Sequence, residues 1–256
     1  MNFKEIKRMS KVICIILAAH PAPQLTPLTE NTPKALLHIN GRPLIDYNLS
    51  QLSNMADQFV IVTNHFENLI QDTIGHEYKG KKVEYVHQNS PTGGTLDAFR
   101  YGVYSTHDFD PSNTYIVSNC DDIHGPDIYR HFQLNILTDP DKALISAKII
   151  RSKKQLNRYG IIESDPVTNN LIRIVEKPTN YISSLVNTGI YYFPSNILEC
   201  LSHTKDLNPC KEQFITEDLL NFYSQAYPIL VIATLDKWLP MSNLEDFEKA
   251  NRQKIT

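Results

Sequence analysis

Residues Val12–Thr29 read VICIILAAHPAPQLTPLT and are followed by PKALL at Pro33–Leu37. The first six residues are apolar and mostly β-branched, and a polar turn follows, which predicts a buried strand ending at a ligand crevice. In an α/β protein, the loop at such a strand end can hold a phosphate with its backbone N–H groups. The turn His20–Gln24 nevertheless contains two prolines and no glycine. It therefore lacks the backbone donors and the left-handed freedom that a phosphate-binding loop needs.

The composition is that of an ordinary globular protein. Hydrophobic residues make up 41% and charged residues 21% of the 256 residues, and the formal net charge is −3. Such a charge gives no general attraction for nucleic acid or for an anionic membrane, so we expect neither as a partner. The longest apolar run is too short to span a bilayer, and Met1–Ser10 reads as a leading tail rather than as a signal peptide. We expect a cytoplasmic protein with a tail at 1–10 and one domain at 11–256.

The four cysteines show no metal-binding or redox motif. Cys14, Cys120, Cys200 and Cys210 form no C-x-x-C pair and have no histidine at metal-ligand spacing. Buried reduced thiols are the favoured interpretation, and a disulfide between Cys200 and Cys210 is the disfavoured alternative.

Strand-like segments alternate with helical patterns in the first half of the chain. The predicted strands are Gln58–Asn64, Val83–Gln88, Thr114–Cys120 and Ala143–Ile150, and the predicted helices are Pro43–Met55, His65–Ile74, Thr95–Ser105 and Pro126–Leu137. This alternation is typical of βαβ units and predicts an α/β fold with a mainly parallel sheet.

The second half is richer in strands with short connections. Its predicted strands are Tyr159–Ser164, Leu171–Lys177, Val186–Phe193 and Ile229–Leu235, with a hairpin turn at Val167–Asn170, and its predicted helices are Ser195–Leu201, Gln213–Tyr223 and Asn243–Gln253. No internal repeat or low-complexity segment interrupts them.

A series of motifs occurs in an order that resembles a known family. The motifs are LAA at Leu17–Ala19, LTPLT at Leu25–Thr29, PKALL at Pro33–Leu37, INGRPLI at Ile39–Ile45, QNSPTGGT at Gln88–Thr95, NCDD at Asn119–Asp122, YG at Tyr159–Gly160, VEKP at Val175–Pro178, NTGIY at Asn187–Tyr191 and Trp238. Together they resemble the sugar-1-phosphate nucleotidyltransferases of the glucose-1-phosphate thymidylyltransferase and mannose-1-phosphate guanylyltransferase type. The resemblance covers roughly Val12–Asn251. It implies a Rossmann-like three-layer αβα nucleotidyltransferase fold with a mainly parallel mixed sheet.

The resemblance also implies a reaction and its partners. In this family an oxygen of a sugar-1-phosphate attacks the α-phosphorus of a nucleoside triphosphate, which gives a nucleotide sugar and pyrophosphate. The reaction needs in-line positioning, Mg²⁺ and cations on the phosphate oxygens. Members of the family often associate, so both a homo-oligomer and a hetero-oligomer remain open.

Two of the matched residues belong to the phosphate and metal side of the site. Lys34 matches the lysine that contacts the nucleotide phosphates, and the alternative is a solvated surface lysine. Asp121 matches the aspartate that binds Mg²⁺. Asp122 could be the ligand instead, or both aspartates could cap a helix that starts near Pro126.

The other matched residues belong to the nucleotide and sugar side. Ala18 and Ala19 match the strand end that contacts the nucleotide, and Gln88 and Gly93 match the residues that receive the base, with a simple helix-entry turn at Gly93–Gly94 as the rival interpretation. The sugar and its phosphate are expected at Gly160, Glu176, Lys177, Asn187 and Thr188, and the alternative for Glu176 and Lys177 is a solvated charge pair.

Two departures from the family pattern bear on activity. Where the family has Gly-x-Gly-Thr-Arg, this chain has His20–Gln24, so both glycines and the arginine are missing. Where the family has Trp-x-Asp, the chain has Trp238-Leu239-Pro240, so the second metal-binding aspartate is missing. Both losses lie on the phosphate and metal side, and they predict impaired catalysis.

Two functions are compatible with this pattern. The first is a nucleotidyltransferase with impaired catalysis, in which Lys34 and His20 share the phosphate charge and Asp121 alone holds Mg²⁺. The second is a catalytically silent relative that binds a nucleotide sugar or regulates an active subunit. No Walker A motif, Gly-x-Ser-x-Gly motif or zinc-ligand spacing supports another class of enzyme.

Overall fold

The computed structural model describes residues 10–90, 93–107, 109–204 and 211–253. The strands are β1 Val12–Leu17, β2 His38–Ile39, β3 Arg42–Pro43, β4 Gln58–Thr63, β5 Glu77–Tyr78, β6 Lys81–His87, β7 Thr114–Asn119, β8 Asp122–His124, β9 Ala143–Ile149, β10 Gly160–Ser164, β11 Leu171–Glu176, β12 Leu185–Phe193, β13 Ile229–Thr234 and β14 Trp238–Pro240. The α-helices are α1 Leu44–Leu52, α2 Glu67–Ile74, α3 Thr95–Tyr104, α4 Pro126–Thr138, α5 Ile197–Thr204, α6 Asn221–Tyr223 and α7 Leu244–Arg252. Short 3₁₀ turns lie at Pro23–Leu25, Lys34–Leu36 and Lys153–Arg158, and a π-helix at Ile215–Leu220 leads into α6.

A mixed, mostly parallel sheet forms the centre of the protein, as predicted. In the described part of the chain ten strands join in one sheet, with eight in the order β11-β10-β12-β7-β1-β4-β6-β5, while β9 pairs with β12 and β13 pairs with β9. β1 pairs in parallel with β4 on one side and with β7 on the other. The chain order therefore reverses at β1 and β7, and ligands of open α/β sheets bind at the carboxyl ends of such strands.

The continuous apolar run of β1 is explained by burial on both faces of the sheet. Ile13, Ile15 and Leu17 pack on one face with α3 and the helices after β12. Cys14 and Ile16 pack on the other face with α1 and α4. The result is the three-layer αβα arrangement that the resemblance implies.

Most of the predicted elements exist, and their ends shift by a few residues. The first helix begins at Leu44 rather than at Pro43, because Pro43 belongs to the two-stranded sheet of β2 and β3. The turn at Val167–Asn170 does connect two antiparallel strands, β10 and β11, and Asn169 has a positive φ of 57°. The strands of two or three residues were not predicted, because tertiary contacts rather than local periodicity form them.

Three of the four cysteines can be placed. Cys14, Cys120 and Cys200 are buried free thiols, and burial raises the pKa of each of them. Cys210 and nearly all of the predicted N-terminal tail lie outside the described residues. Among the residues described, no helix has both the length and the apolar character needed to cross a membrane.

Candidate active site

The loop after β1 keeps a glycine-like backbone shape without its glycines. Ala22 is fully buried and adopts the left-handed conformation, with φ 51° and ψ 56°, at the position of the family's second glycine. A residue with a Cβ adopts this conformation only at a cost. The backbone N–H of Ala22 donates to Nδ1 of His20 at 2.9 Å. The N–H of Ala22 is therefore bonded to a side chain of the same loop and is not free for a phosphate. Pro21 and Pro23 have no backbone N–H.

His20 lies in this loop with a neutral ring. Partial burial and the positive charge of Lys34 lower the pKa of His20 below its ordinary value of 6.5. An imidazole that accepts a hydrogen bond at Nδ1 and titrates below neutrality carries no charge at pH 7. It therefore does not replace the missing arginine as a cation.

Lys34 and Asp121 form an ion pair at the point where the chain order reverses. Lys34 Nζ donates to Asp121 Oδ2, with the lysine side chain 7% and the aspartate side chain 26% exposed. Burial opposes the charge on the lysine, but the carboxylate of Asp121 outweighs it and raises the pKa of Lys34. Lys34 is thus a buried cation held by the candidate metal ligand, and the alternative of a solvated surface lysine is wrong.

Asp122 is a buried carboxyl held by residues from three parts of the chain. Its Oδ1 accepts from Nε1 of Trp238 at 3.2 Å, and its Oδ2 accepts from Nδ2 of Asn119 at 3.4 Å. Its backbone carbonyl accepts from Nδ2 of Asn48 at 2.9 Å. Burial and the neighbouring carboxylate of Asp121 raise the pKa of Asp122 well above its ordinary range.

Neither aspartate caps α4, so that alternative is wrong. The N-cap residue of α4 is Gly125, which has no side chain to accept a bond. The carboxylate that accepts from the first turn is that of Asp236, from the backbone N–H of Asp127 at 3.0 Å.

Pro240 occupies the place where a second metal-binding carboxylate would lie. β14 pairs with β8 in antiparallel register, and Pro240 lies opposite Asp122. A carboxylate at position 240 would therefore lie opposite Asp122, and Pro240 and Asp121 line the same cavity. Within residues 10–253 as far as they are described, no group of three or more His, Cys, Asp or Glu side chains could hold a metal ion. The donors present fit Mg²⁺ only through Asp121, with water and a ligand's phosphates supplying the other oxygens.

A cavity of about 190 Å³ adjoins the two aspartates and contains much of the predicted sugar side. Of the predicted site residues it is lined by Asp121, Gly160, Glu176, Asn187 and Thr188. We call it the sugar cavity.

Glu176 and Gly160 face each other within the sugar cavity. A Cβ on Gly160 would approach Oε1 of Glu176 to 2.7 Å, so glycine leaves the room that this carboxylate needs. Burial raises the pKa of Glu176, and Thr216 on the π-helix supplies a hydrogen bond that opposes the shift. Glu176 is therefore a positioned, partly desolvated carboxyl, and the interpretation as a solvated charge pair does not fit it. Lys177 follows it as an exposed residue with a positive φ of 43° and does not line the cavity.

A bulge in β12 presents Asn187 and Thr188 to the sugar cavity. The register between β12 and β9 shifts between Asn187 and Tyr191, and Gly189 in this bulge has φ 77°. Asn187 Nδ2 donates to the hydroxyl of Tyr191 at 2.8 Å. Thr188 Oγ1 donates to Ser146 at 2.7 Å, so its hydroxyl hydrogen is used inside the protein.

The predicted nucleobase side lies at the ends of β1 and β6, apart from the sugar cavity. Gln88 is buried, and its Nε2 donates to the carbonyl of Gly94 at 3.2 Å and to Asp97 Oδ2 at 3.0 Å. Both partners are acceptors, which fixes the orientation of the amide and leaves Oε1 as the group for a ligand. Ala18 is tied into the sheet by its N–H, which donates to Val62 at 2.8 Å.

The two positions before α3, Gly93 and Gly94, require glycine for different reasons. Gly94 has φ 98°, and a Cβ there would collide with the backbone of Gln213. Gly94 therefore fits the interpretation as a simple helix-entry turn. Gly93 has φ 69° and open space where a Cβ would be, so a ligand can approach its backbone.

Two residues of this region, Asn48 and Arg158, were not predicted from the sequence. Asn48 joins the site from α1, where Tyr129 donates to its Oδ1 at 2.8 Å, and Arg158 lines the sugar cavity from the turn before β10. An asparagine within a helical pattern and an arginine in a polar segment carry no local signal of a site.

Asp122→Asn is expected to stabilise the protein at pH 8 by about 1–3 kcal/mol. A carboxyl whose pKa is higher in the folded than in the unfolded chain takes up a proton on folding. The contribution of the Asp122 carboxyl to the free energy of unfolding therefore falls as the pH rises above about 4. The Asn side chain of the variant does not ionise, so the variant does not suffer this loss. Urea unfolding in EDTA at pH 4.5 and pH 8 measures the difference, with the exposed Asp72→Asn as the control. If Asp122→Asn were less stable than the wild type at pH 8, the raised pKa that we assign to the buried Asp122 carboxyl would be contradicted.

Comparison with known proteins gives a consistent result. The family model described as nucleotidyl transferase matches residues 13–256. The bifunctional protein GlmU of Methanococcus aeolicus is 28% identical over 187 residues, covering 73% of this chain and 41% of the relative. UTP--glucose-1-phosphate uridylyltransferase AglF of Haloferax volcanii is 22% identical, covering 93% of this chain and 95% of the relative. The chain spans about two fifths of the length of the first GlmU relatives that it matches.

The fold recurs in solved structures. A UDP-glucose pyrophosphorylase in complex with UDP-glucose superposes with a TM-score of 0.81 at 21% identity, covering 95% of this chain and 98% of the other.

Proposed function

This chain belongs to the nucleotidyl transferase family, and we propose that it is a sugar-1-phosphate nucleotidyltransferase with slow catalysis. It would convert a nucleoside triphosphate and a sugar-1-phosphate to a nucleotide sugar and pyrophosphate, within a single domain over residues 11–256. The observation that carries the proposal is the buried Lys34–Asp121 ion pair beside an intact sugar cavity. The uridylyltransferase relative and the neighbour that holds UDP-glucose support the same substrate classes.

The charges of the site suit the binding of phosphates. Lys34 is a desolvated cation that can exchange the carboxylate of Asp121 for phosphate oxygens, and such charge-assisted bonds are strong. Lys177 is an exposed lysine beside Glu176 and would meet the phosphate of the sugar. Mg²⁺, when it arrives with the triphosphate, would be held by Asp121 and would offset charge on the phosphate oxygens.

Slow transfer follows from what the phosphate side lacks. The loop after β1 has two prolines, a neutral histidine and a glutamine where the family has donors and an arginine. Position 240 offers no carboxylate opposite Asp122. One missing electrostatic donor typically costs about 3–4 kcal/mol of transition-state stabilisation, and several are missing here.

A catalytically silent relative is the second candidate. It would use the sugar cavity and Gln88 to hold a nucleotide sugar, as a regulator or as the partner of an active subunit in a homo- or hetero-oligomer. The hydrogen bond from Ala22 to His20 favours this candidate, because it removes a loop donor from the phosphate. For either candidate we propose a cytoplasmic location, since buried free thiols suit a reducing compartment.

Calorimetric titration with a panel of nucleotide sugars tests the binding that both candidates share. We expect at least one member to bind, and Gln88→Leu to weaken its affinity about 3- to 10-fold through the loss of one hydrogen bond at Oε1. Gln58→Leu is the matched control, because Gln58 is a buried glutamine bonded to Glu84 at the start of β4. If no nucleotide sugar binds the wild type, both candidates fail.

A further inference from the structure

A second cavity, of about 350 Å³, adjoins the sugar cavity and carries a concentration of positive charge. Its cations are Lys148, Arg151, Arg158 and Lys249, and its single carboxylate is that of Asp246. The chain as a whole carries a net charge of −3, so this surface stands out against the rest of the molecule. We call it the basic cavity.

Among the residues that the structure describes, three of the four cations form no ion pair with a carboxylate. Arg158 donates to Asp246 Oδ2 at 2.7 Å, which uses the one carboxylate of the cavity. Lys148 donates through Nζ to the backbone carbonyls of Leu235, at 2.6 Å, and Asp236. Within the described residues Arg151 and Lys249 form no ion pair, and both are exposed. The segment after β9 adds no acidic residue between positions 150 and 162 that could balance them.

One wall of the basic cavity is aromatic and is shared with the sugar cavity. Tyr159 and Trp238 line both cavities, with their ring centroids 5.0 Å apart, and Pro240 lies between the two spaces. Flat rings beside unpaired cations suit a sugar ring that carries an anionic group, because the ring packs on the aromatic face while the anion meets the charge. The volume lies at the lower end of the range of about 300–1,000 Å³ that is typical of ligand sites.

We propose that the basic cavity binds the phosphate or carboxylate group of an anionic sugar, with Arg151 and Lys249 as its principal contacts. The sugar is either a separate ligand or the substrate itself, reaching past Trp238 from the sugar cavity. The first source does not depend on the proposed nucleotidyltransferase function, whereas the second does.

The fluorescence of Trp238, the only tryptophan of the chain, reports on this wall directly. In the first arm the wild type is titrated with a hexose 6-phosphate, the free hexose and inorganic phosphate. We expect a saturable change with the hexose phosphate, an affinity at least 10-fold lower in Arg151→Gln/Lys249→Gln, and less than a 2-fold change in Arg252→Gln. Arg252 is an exposed cation on the same helix, paired with Glu248 at 3.0 Å, which makes it the matched control.

In the second arm calorimetry compares a nucleotide sugar carrying a uronic acid with its neutral hexose counterpart. Tighter binding of the acidic sugar, abolished by the double variant, assigns the anionic group to the substrate. Binding of the hexose phosphate to a protein saturated with nucleotide sugar assigns it to a separate ligand. If the double variant leaves binding unchanged in both arms, the proposal is wrong. If no nucleotide sugar binds at all, the proposed function is wrong. The first arm by itself still tests whether the basic cavity binds an anionic sugar.

Discussion

Pro240→Asp, combined with Gln24→Arg, His20→Gly and Ala22→Gly, is expected to raise the rate of pyrophosphate release by about 10²–10³-fold. The new aspartate would stand opposite Asp122, beside Asp121, and would complete a pair of carboxylates for Mg²⁺. The arginine restores a cation on the phosphate side. The two glycines free the N–H at position 22 from His20 and relieve the left-handed alanine. A coupled pyrophosphate assay with Mg²⁺, each nucleoside triphosphate and a panel of sugar-1-phosphates measures the gain.

The control for this variant is a pair of similar changes away from the site. Pro111→Asp and Gln225→Arg alter exposed positions and are expected to leave the rate unchanged. Pro240→Asp alone supplies a readout that does not depend on turnover. Its third carboxylate lowers the melting temperature in EDTA by like-charge repulsion, and Mg²⁺ restores it.

The outcomes of the repair experiment separate the two candidate functions. A gain in rate means that the missing groups alone limit an otherwise competent site. A melting temperature restored by Mg²⁺ without any gain in rate means that the sugar or base side no longer positions a substrate, which favours the silent relative. A wild-type turnover within the ordinary range of about 1–10³ per second would contradict slow catalysis itself.

Lys34→Met is expected to weaken the binding of a nucleoside triphosphate about 10- to 100-fold. The loss corresponds to one charge-assisted hydrogen bond of about 1.5–3 kcal/mol. The same change leaves the carboxylate of Asp121 without its partner, so we expect a loss of unfolding free energy of about 1–3 kcal/mol. Calorimetric titration and urea unfolding measure the two effects separately.

Lys177→Met is the matched control for Lys34→Met. Lys177 is exposed and follows Glu176 on the sugar side, so its removal is expected to weaken the binding of a sugar-1-phosphate and to spare the triphosphate. Equal triphosphate affinity in the wild type and in Lys34→Met would contradict the role proposed for the buried lysine. A loss of both ligands in both variants would contradict the division of the crevice into two sides.

The sequence predicted which residues form the site, but not the contacts that each side chain makes there. Glu176, Asn187 and Asp121 were found because they stand in motifs of fixed wording, and the fold brings them to one cavity. Thr188 lines the same cavity, but its hydroxyl donates to Ser146 on β9, a contact that the motif does not reveal. A motif records which residue is present, whereas the direction of its side chain depends on a neighbouring strand.

The sequence by itself determined the family, the alternation of strands and helices, and the burial of β1 on both faces. These are local properties, since periodicity and the order of motifs can be read along the chain. Only the tertiary structure decided that Lys34 pairs with Asp121, that Trp238 holds Asp122, and that Pro240 lies opposite the aspartates. The first two contacts join residues 87 and 116 positions apart, and the basic cavity collects its cations from two separate segments. No local pattern encodes such distances, because the folded sheet brings these residues together.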